Sequence, residues 1–401
     1  MPDTAGDLLA LLRSGRARTR ADLVRLTGLS RTAVLARLDA LADAGLVAVG
    51  DELASTGGRR PLGLHLVAGA GVVLAAAVGR SRSQVAVVDL AGTTLAADSR
   101  DHEVGAGPEV VMASVAQRFE ALLASPGGAA GPPVLAVGLS LPGPVDTARG
   151  SSRDSPVMTG WDGVPLAPFL ADLPGVAGAP LVIGNDADVL AAAEQLARPD
   201  LAEALVVKAS TGLGLGLVVG GRRVPGVLGA AGEIGHVPVP EAAGRRCRCG
   251  RDGCLEAVAG GWALVAERED VAHVRDLVAL ALAGEERARD ALARSARLLG
   301  EVLATAVTLL NPAAVVLGGD MAAAYDLYAD GVGAALAARG TALATRDLQV
   351  LPAAHGDRAG LVGCAALALD HALAPRAVDA LLRQRVAGRG AARAAEESSG
   401  T

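Results

Sequence analysis

Between residues 20 and 47, in RADLVRLTGLSRTAVLARLDALADAGLV, apolar positions recur with the period of a helix. Leu23 and Leu26 share one face of a first short segment, and Val34, Leu38 and Leu41 follow at i, i+4 and i+7 on a second. Gly28-Leu29 divides the two, Ser30 stands where an N-cap is wanted, and Gly45 falls where a helix stops, so the second helix is expected over about 31–44. Two helices at a tight glycine turn predict a helix-turn-helix, whose second helix enters the major groove by its N-terminal part. Ser30, Arg31, Thr32 and Arg37 are therefore candidate DNA contacts. The next stretch, DELASTGGRRPLGLHL, predicts a β-hairpin wing with Gly57-Gly58 at its tip and Arg59-Arg60 beside it, where arginines suit the focused negative potential of a minor groove. A plain helical packing domain is the alternative. The helix pair joined to a Gly-Arg wing favours a DNA-binding domain over residues 1–66 with double-stranded DNA as its partner.

From about residue 70 the pattern changes to short apolar strands alternating with Ala-rich helices, which predicts an α/β body. Two segments resemble each other, GVVLAAAVGRSRSQVAVVDLAG (71–92) and ALVVKASTGLGLGLVVGGRRV (204–224), each a strand, a Gly/Ser turn and a strand. A duplicated hairpin predicts two related lobes with a cleft between them, over 70–184 and 185–360. PLVIGNDADVLAAAE runs a strand into Asn185-Asp186 and then a helix. Polar residues at the carboxyl end of a buried strand fall where α/β proteins bind ligands. Asp186 can act there as a general base toward a hydroxyl or as a hydrogen-bond acceptor; helix capping is the other reading of the pair.

Composition narrows the class. The chain has 401 residues, 51% hydrophobic and 20% charged, without an apolar run of membrane length or a leader pattern, so a cytoplasmic protein of two or three domains without membrane contact is expected. Its net charge of −6 requires any DNA contact to come from a local basic surface. Lysine occurs once, at Lys208, among abundant Arg and Ala, which reads as coding bias. Three of the four cysteines crowd into CRCGRDGC, with His236 upstream. One imidazole and three thiolates, His236, Cys247, Cys249 and Cys254, suit a closed tetrahedral zinc site, structural because no position stays open for water. Such a loop aims Glu233 and Glu256 into one place, where carboxylates accept hydroxyls of a polyol. Cys364, in GLVGCAALAL, reads as a small buried apolar residue.

GEIGH followed by CRCGRDGCLE, with GLSLPGPVD, GNDADVLAAAE, STGLGLGLVVGG and NPAAVVLGGD, resembles the ROK family of repressors, open reading frames and sugar kinases across nearly the whole chain. The resemblance implies an actin-like ATPase (ribonuclease H-like) fold of two lobes, with a last helix at about 361–374 returning to the first lobe. It implies zinc on the His236 and cysteine set, and sugar hydroxyl contacts at Asn185, Asp186, Glu233, His236 and Glu256, with Asp186 matching the catalytic base of the kinases.

The departures from that pattern decide the class. Where the kinases carry Asp-x-Gly-Gly-Thr-Lys, this chain reads Ala77-Val78-Gly79-Arg80-Ser81-Arg82, Ser210 replaces a glycine in the second loop, and Val157 stands where a sugar-contacting asparagine is expected. Without that Asp, and with Arg80 in the space of the phosphates, ATP is not expected to bind and no catalysis is expected. The expected protein is a sugar-responsive transcriptional regulator, a repressor by the usual pattern, working as a homodimer or dimer of dimers on a palindromic operator. An ATP-dependent sugar kinase with an appended DNA-binding domain is the alternative. The Arg- and Ala-rich segment 375–401 is expected to be a flexible tail.

Overall fold

The computed structural model describes residues 3–52, 62–124, 131–153, 158 and 160–385. Three helices open the chain: α1 (Ala5–Arg13), α2 (Arg20–Thr27) and α3 (Arg31–Asp43). Thr4 and Thr19 cap the first two through reciprocal bonds with Asp7 and Asp22, and the Ser30 side chain caps α3 by accepting from the Ala33 N–H. Gly28 ends α2 in the left-handed region at φ 73°, which lets the chain turn directly into α3. Strands β1 (Val47–Glu52) and β2 (Leu62–Leu66) pair antiparallel behind the helices, completing a winged helix-turn-helix. The wing tip, with Arg59 and Arg60, lies outside the described residues.

The body repeats one pattern twice. In the first lobe β3 (Val72–Val78), β4 (Arg82–Asp89) and β5 (Thr94–Asp101) form an antiparallel meander, α4 (Pro108–Leu123) crosses over, and β6 (Val134–Leu141) adds parallel to β3. After a two-residue ribbon, β7 (Val145–Asp146) with β8 (Ser151–Ser152), β9 (Leu181–Asn185) closes a sheet of order β5-β4-β3-β6-β9. Helix α5 (Asp186–Ala197) leads into the second lobe, where β10 (Ala204–Ala209), β11 (Leu213–Val219) and β12 (Arg222–Arg223) form another antiparallel meander. The cysteine loop, α6 (Glu256–Ala259), α7 (Gly261–Ala266), α8 (Val274–Leu282) and α9 (Glu286–Leu310) follow. Then β13 (Ala314–Gly318) pairs parallel to β10, and α10 (Tyr325–Arg339) and α11 (Ala342–Thr345) lead to β14 (Gln349–Pro352). The second sheet has the order β12-β11-β10-β13-β14, strand for strand the order of the first. The duplicated hairpins of the sequence are the opening strands of these two sheets.

Helix α12 (Ala359–Ala372) returns to the first lobe and packs on β3, β6 and α5. Glycines make this approach possible: a Cβ on Gly138 would lie 2.0 Å from the Cys364 carbonyl oxygen, and one on Gly363 would lie 1.9 Å from that of Val189. Cys364 is fully buried and its Sγ donates to the Ala76 carbonyl at 3.2 Å.

The expectation of a flexible tail fails over its first part. Residues 375–385 form a further helix, α13, packed against the N-terminal winged helix-turn-helix. Val378 is buried in one core with Leu8, Leu12, Leu38 and Leu41 of α1 and α3 and with Leu369 and Leu373 of the returning segment. The Gly6 N–H donates to Asp379 at 2.9 Å, and Asp370 of α12 pairs with Arg13 of α1 at 2.9 Å and with Arg223 of β12 at 3.1 Å. The apolar face of α13 finds its partner only in the folded protein, which composition alone does not reveal. Among the described residues no single helix is long and apolar enough to cross a membrane.

Candidate functional site

A cleft of about 660 Å³ separates the two lobes. From the first lobe come the β3–β4 loop with Gly79 and Arg80, and the end of β6 with Ser140 and Pro142. From the second come Lys208, the turn at Ser210–Gly212, the segment Gly232–His236, Arg248 and Asp320. Asn185, Asp186, Glu233, His236 and Glu256, all singled out from the sequence, line this one cleft.

Asn185 is the N-cap of α5, its Oδ1 accepting from the Asp188 N–H at 2.6 Å, so the capping reading describes one of its bonds. Asp186, the first residue of that helix, pairs with the Lys208 ammonium at the end of β10. Burial alone would weaken the charge of Lys208; the carboxylate of Asp186, with Asp320 and Glu256 farther off, holds the ammonium charged and its pKa above the ordinary lysine value. Two residues on, Asp188 is largely buried, and desolvation pushes its carboxyl up to about 6 against the partial relief of Arg223. Glu233 is likewise pushed up by burial, opposed by His236, whose Nε2 stands 3.5 Å from Glu233 Oε2. Glu256, nearly inaccessible, accepts from the Leu213 N–H at 2.9 Å and from the Trp262 indole at 3.0 Å, which fixes both its oxygens.

The other face of His236 meets the cysteines. Its Nδ1 lies 3.7 Å from Cys247 Sγ, Cys249 and Cys254 sulfurs are 3.7 Å apart, and all four ligand atoms lie within 4.8 Å of one another. With metal–sulfur bonds of about 2.3 Å and metal–nitrogen bonds of about 2.0–2.1 Å, a tetrahedron has edges of roughly 3.6–3.8 Å, so the spacing fits a single ion and excludes the sulfur–sulfur bond length of a disulfide. All four are present as free thiols or imidazole, and the cluster can hold a metal. One ring thus serves two sites, Nδ1 toward the sulfurs and Nε2 toward Glu233.

The DNA-facing candidates divide. Arg31 and Thr32 are exposed at the start of α3, while the Ser30 hydroxyl is committed to its cap. Arg37 also has a structural part: its guanidinium donates to the carbonyls of Asp3 and Ala33, which ties Asp3 to α3. Arg59, Arg60 and Val157 lie outside the described residues.

Several cleft residues escape the sequence reading. Lys208, dismissed as composition, is the ion partner of Asp186; its being the one lysine in an Arg-rich chain was the available signal. Ser210 donates its hydroxyl to Asp320. Arg248, between two cysteines, stacks over the Trp262 ring at 4.4 Å. Arg80, read only as an obstacle, lines the cleft.

The ROK family pattern matches residues 73–371. The chain belongs to the ROK family. Among ROK relatives it is 25% identical over 364 residues to the xylose repressor of Bacillus spizizenii, covering 88% of this chain and 92% of that protein. It is 37% identical over 246 residues to the kanosamine kinase of Amycolatopsis mediterranei, covering 59% of this chain and 78% of the kinase. A ROK family transcriptional regulator described as a homolog of the E. coli MLC protein superposes with a TM-score of 0.77 at 24% identity, over 94% of this chain and 98% of the other. A ROK family glucokinase from Streptomyces griseus, solved with glucose and AMPPNP, superposes with a TM-score of 0.61 at 26% identity, over 74% of this chain and 99% of the kinase.

Proposed function

We propose that the chain is a sugar-responsive transcriptional repressor whose kinase-like body binds a sugar or sugar derivative. The observation that carries this reading is the length of the likeness: the xylose repressor aligns over 88% of the chain, beyond the ROK body, whereas the kanosamine kinase aligns over 59%. In this reading α3 enters the major groove with Arg31 and Thr32 foremost, and Arg59-Arg60 reach the minor groove. Two copies on a palindromic operator need recognition helices about 34 Å apart, so a modest change in lobe or dimer geometry releases DNA. The regulator acts in the cytoplasm, where operator DNA is.

Asn185, Asp186, Glu233, His236 and Glu256 hold the sugar hydroxyls. The ligand set of His236, Cys247, Cys249 and Cys254 favours zinc, which fixes the loop carrying His236 and Glu256's neighbours and takes no part in chemistry. Phosphoryl transfer is not expected. Ala77 supplies no carboxylate, Arg80 occupies the phosphate loop, and one oxygen of Asp186 is taken by Lys208. A sugar kinase is the second reading, favoured by the position of Asp186 at the head of α5 and by the 37% identity to kanosamine kinase.

A gel shift on DNA upstream of the chain's own gene, titrated with sugars, amino sugars and their phosphates, tests the proposal. A specific band that one compound changes is the expected result, with Arg31→Ala reducing the salt slope by about one phosphate contact. No specific band, together with ATP-dependent turnover of a hexose lost in Asp186→Asn, would sink it in favour of the kinase.

A further inference from the structure

Four arginines line the cleft; Arg82 and Arg275 are paired with Asp357 and Asp101, and two others are left unused by the sugar reading. Arg80 projects from the β3–β4 loop of the first lobe and Arg248 from the cysteine loop of the second. The Nε of Arg80 and the Nη1 of Arg248 are each buried without a hydrogen-bond partner, and no carboxylate of the described residues lies within 4.0 Å of either guanidinium. A guanidinium carries five N–H donors and cannot shed its charge, so a buried donor left unpaired is costly unless something completes it. Glu256 does not complete it: its field favours both charges, yet its two oxygens are already fixed by Leu213 and Trp262 on its own lobe. Desolvation weakens both guanidinium charges, and that of Arg80 further disfavours that of Arg248. Stacking on Trp262 holds the Arg248 plane in place while leaving its edge free to donate.

We infer that the cleft takes an anionic sugar derivative, a monosaccharide bearing a phosphate or a carboxylate, whose anion is gripped between Arg80 and Arg248. The inference rests on the sugar-binding reading and adds to it the charge of the ligand. Arg is the side chain suited to phosphate and carboxylate because its planar fork donates two parallel bonds. Asn185, Asp186 and Glu233 supply the acceptors that hydroxyls need, so the same cleft offers a polyol end and an anion end. The two arginines belong to different lobes. Without ligand two like charges face one cleft from opposite sides; with an anion between them both are neutralised, and the closed arrangement gains contacts that the open one lacks. That differential affinity is what a ligand needs to shift a conformational equilibrium.

The test is calorimetric titration of the full chain with glucose, xylose and N-acetylglucosamine, each beside its monophosphate, with glucuronate and xylonate, and with inorganic phosphate and ATP as controls. At least one sugar phosphate or sugar acid is expected to bind tenfold or more tightly than its neutral parent. Arg80→Gln and Arg248→Gln should each remove about tenfold or more of that affinity, some 1.4 kcal/mol, and leave the weak binding of the neutral sugar unchanged. The phosphate and acid arms tell which anion is used. Equal or tighter binding of a neutral sugar overturns the inference, as does anionic binding indifferent to both substitutions, inorganic phosphate binding as tightly as any sugar phosphate, ATP binding that depends on Arg80, or no binding by any anionic probe. The gel shift runs separately: an operator band released by a neutral sugar keeps the repressor reading while this inference fails, and loss of both the band and all binding removes both.

Discussion

Replacing Asp188 by Asn should stabilise the protein at neutral pH and do so progressively less as the solution is acidified. The carboxyl is held in a largely buried place near the head of α5, and its pKa stands at about 6 against 3.8 for the ordinary value. Between those values the native state keeps a proton that the unfolded chain has released. The native state therefore binds more protons in this window, and stability falls as pH rises through it. The stabilisation of the protonated form is fully present below about pH 4 and gone above about pH 7. The shift corresponds to about 3 kcal/mol in total, of which about 2 kcal/mol separates pH 4.5 from pH 7.5. Asn keeps the shape, preserves the backbone N–H that Asn185 caps, and does not ionise. Urea titrations of the wild type and Asp188→Asn at several pH values would measure the gap between them. It should widen by about 2 kcal/mol from pH 4.5 to 7.5, then stay level. A gap that is constant, or that widens toward acid, would refute the claim that this carboxylate is ionised at a cost in the folded protein. Glu233 and Glu194 are shifted in the same direction, and the subtraction removes their shared contribution.

Three further outcomes rest on the cysteine loop and the packing of α12. Protein purified without added metal should contain about one zinc per chain, and Cys254→Ser should lower both metal content and thermal stability; less than about half an equivalent in the wild type would count against the site. Cys247, whose thiol burial pushes up to about 12 in the absence of metal, should release its proton on metal binding, seen as acidification of weakly buffered apoprotein. Gly363→Ala should destabilise the first lobe by several kcal/mol, because the added Cβ would sit 1.9 Å from the Val189 carbonyl oxygen and α12 must move off α5; a change below about 0.5 kcal/mol in urea would show that this approach is not rigid.

What the sequence disclosed was what local chemistry decides. Ser30, Gly28 and Gly45 mark the ends of α2 and α3 because caps and left-handed turns depend on neighbours within four residues. The cysteine cluster was legible for the same reason, with three of its ligands within eight positions. The bond of Arg37 to the Asp3 carbonyl was not legible because that carbonyl lies 34 residues away. The segment holding α13 looked solvated because its arginines and alanines outweighed the short stripe of Val378, Leu381 and Leu382, whose partners come from distant α1 and α3. Lys208 was set aside as coding bias although it is the one lysine of an Arg-rich chain, because its partner Asp186 lies 22 residues away. Asp186 lines the cleft, but the ion pair that occupies it joins the head of α5 to the end of β10, which only the folded sheets bring together.

The docking of α13 sets an order on biosynthesis. The N-terminal helices leave the ribosome before α13, yet Gly6 is bonded to Asp379, a residue made 373 positions later. At translation rates of about 5–20 residues per second, the nascent N-terminal domain waits roughly 20–75 seconds with the face destined for Val378 uncovered. A polypeptide released early therefore leaves the apolar face shared by α1 and α3 without the cover of Val378. Helix α13, the last made of the described helices, thus closes the core beneath the first three.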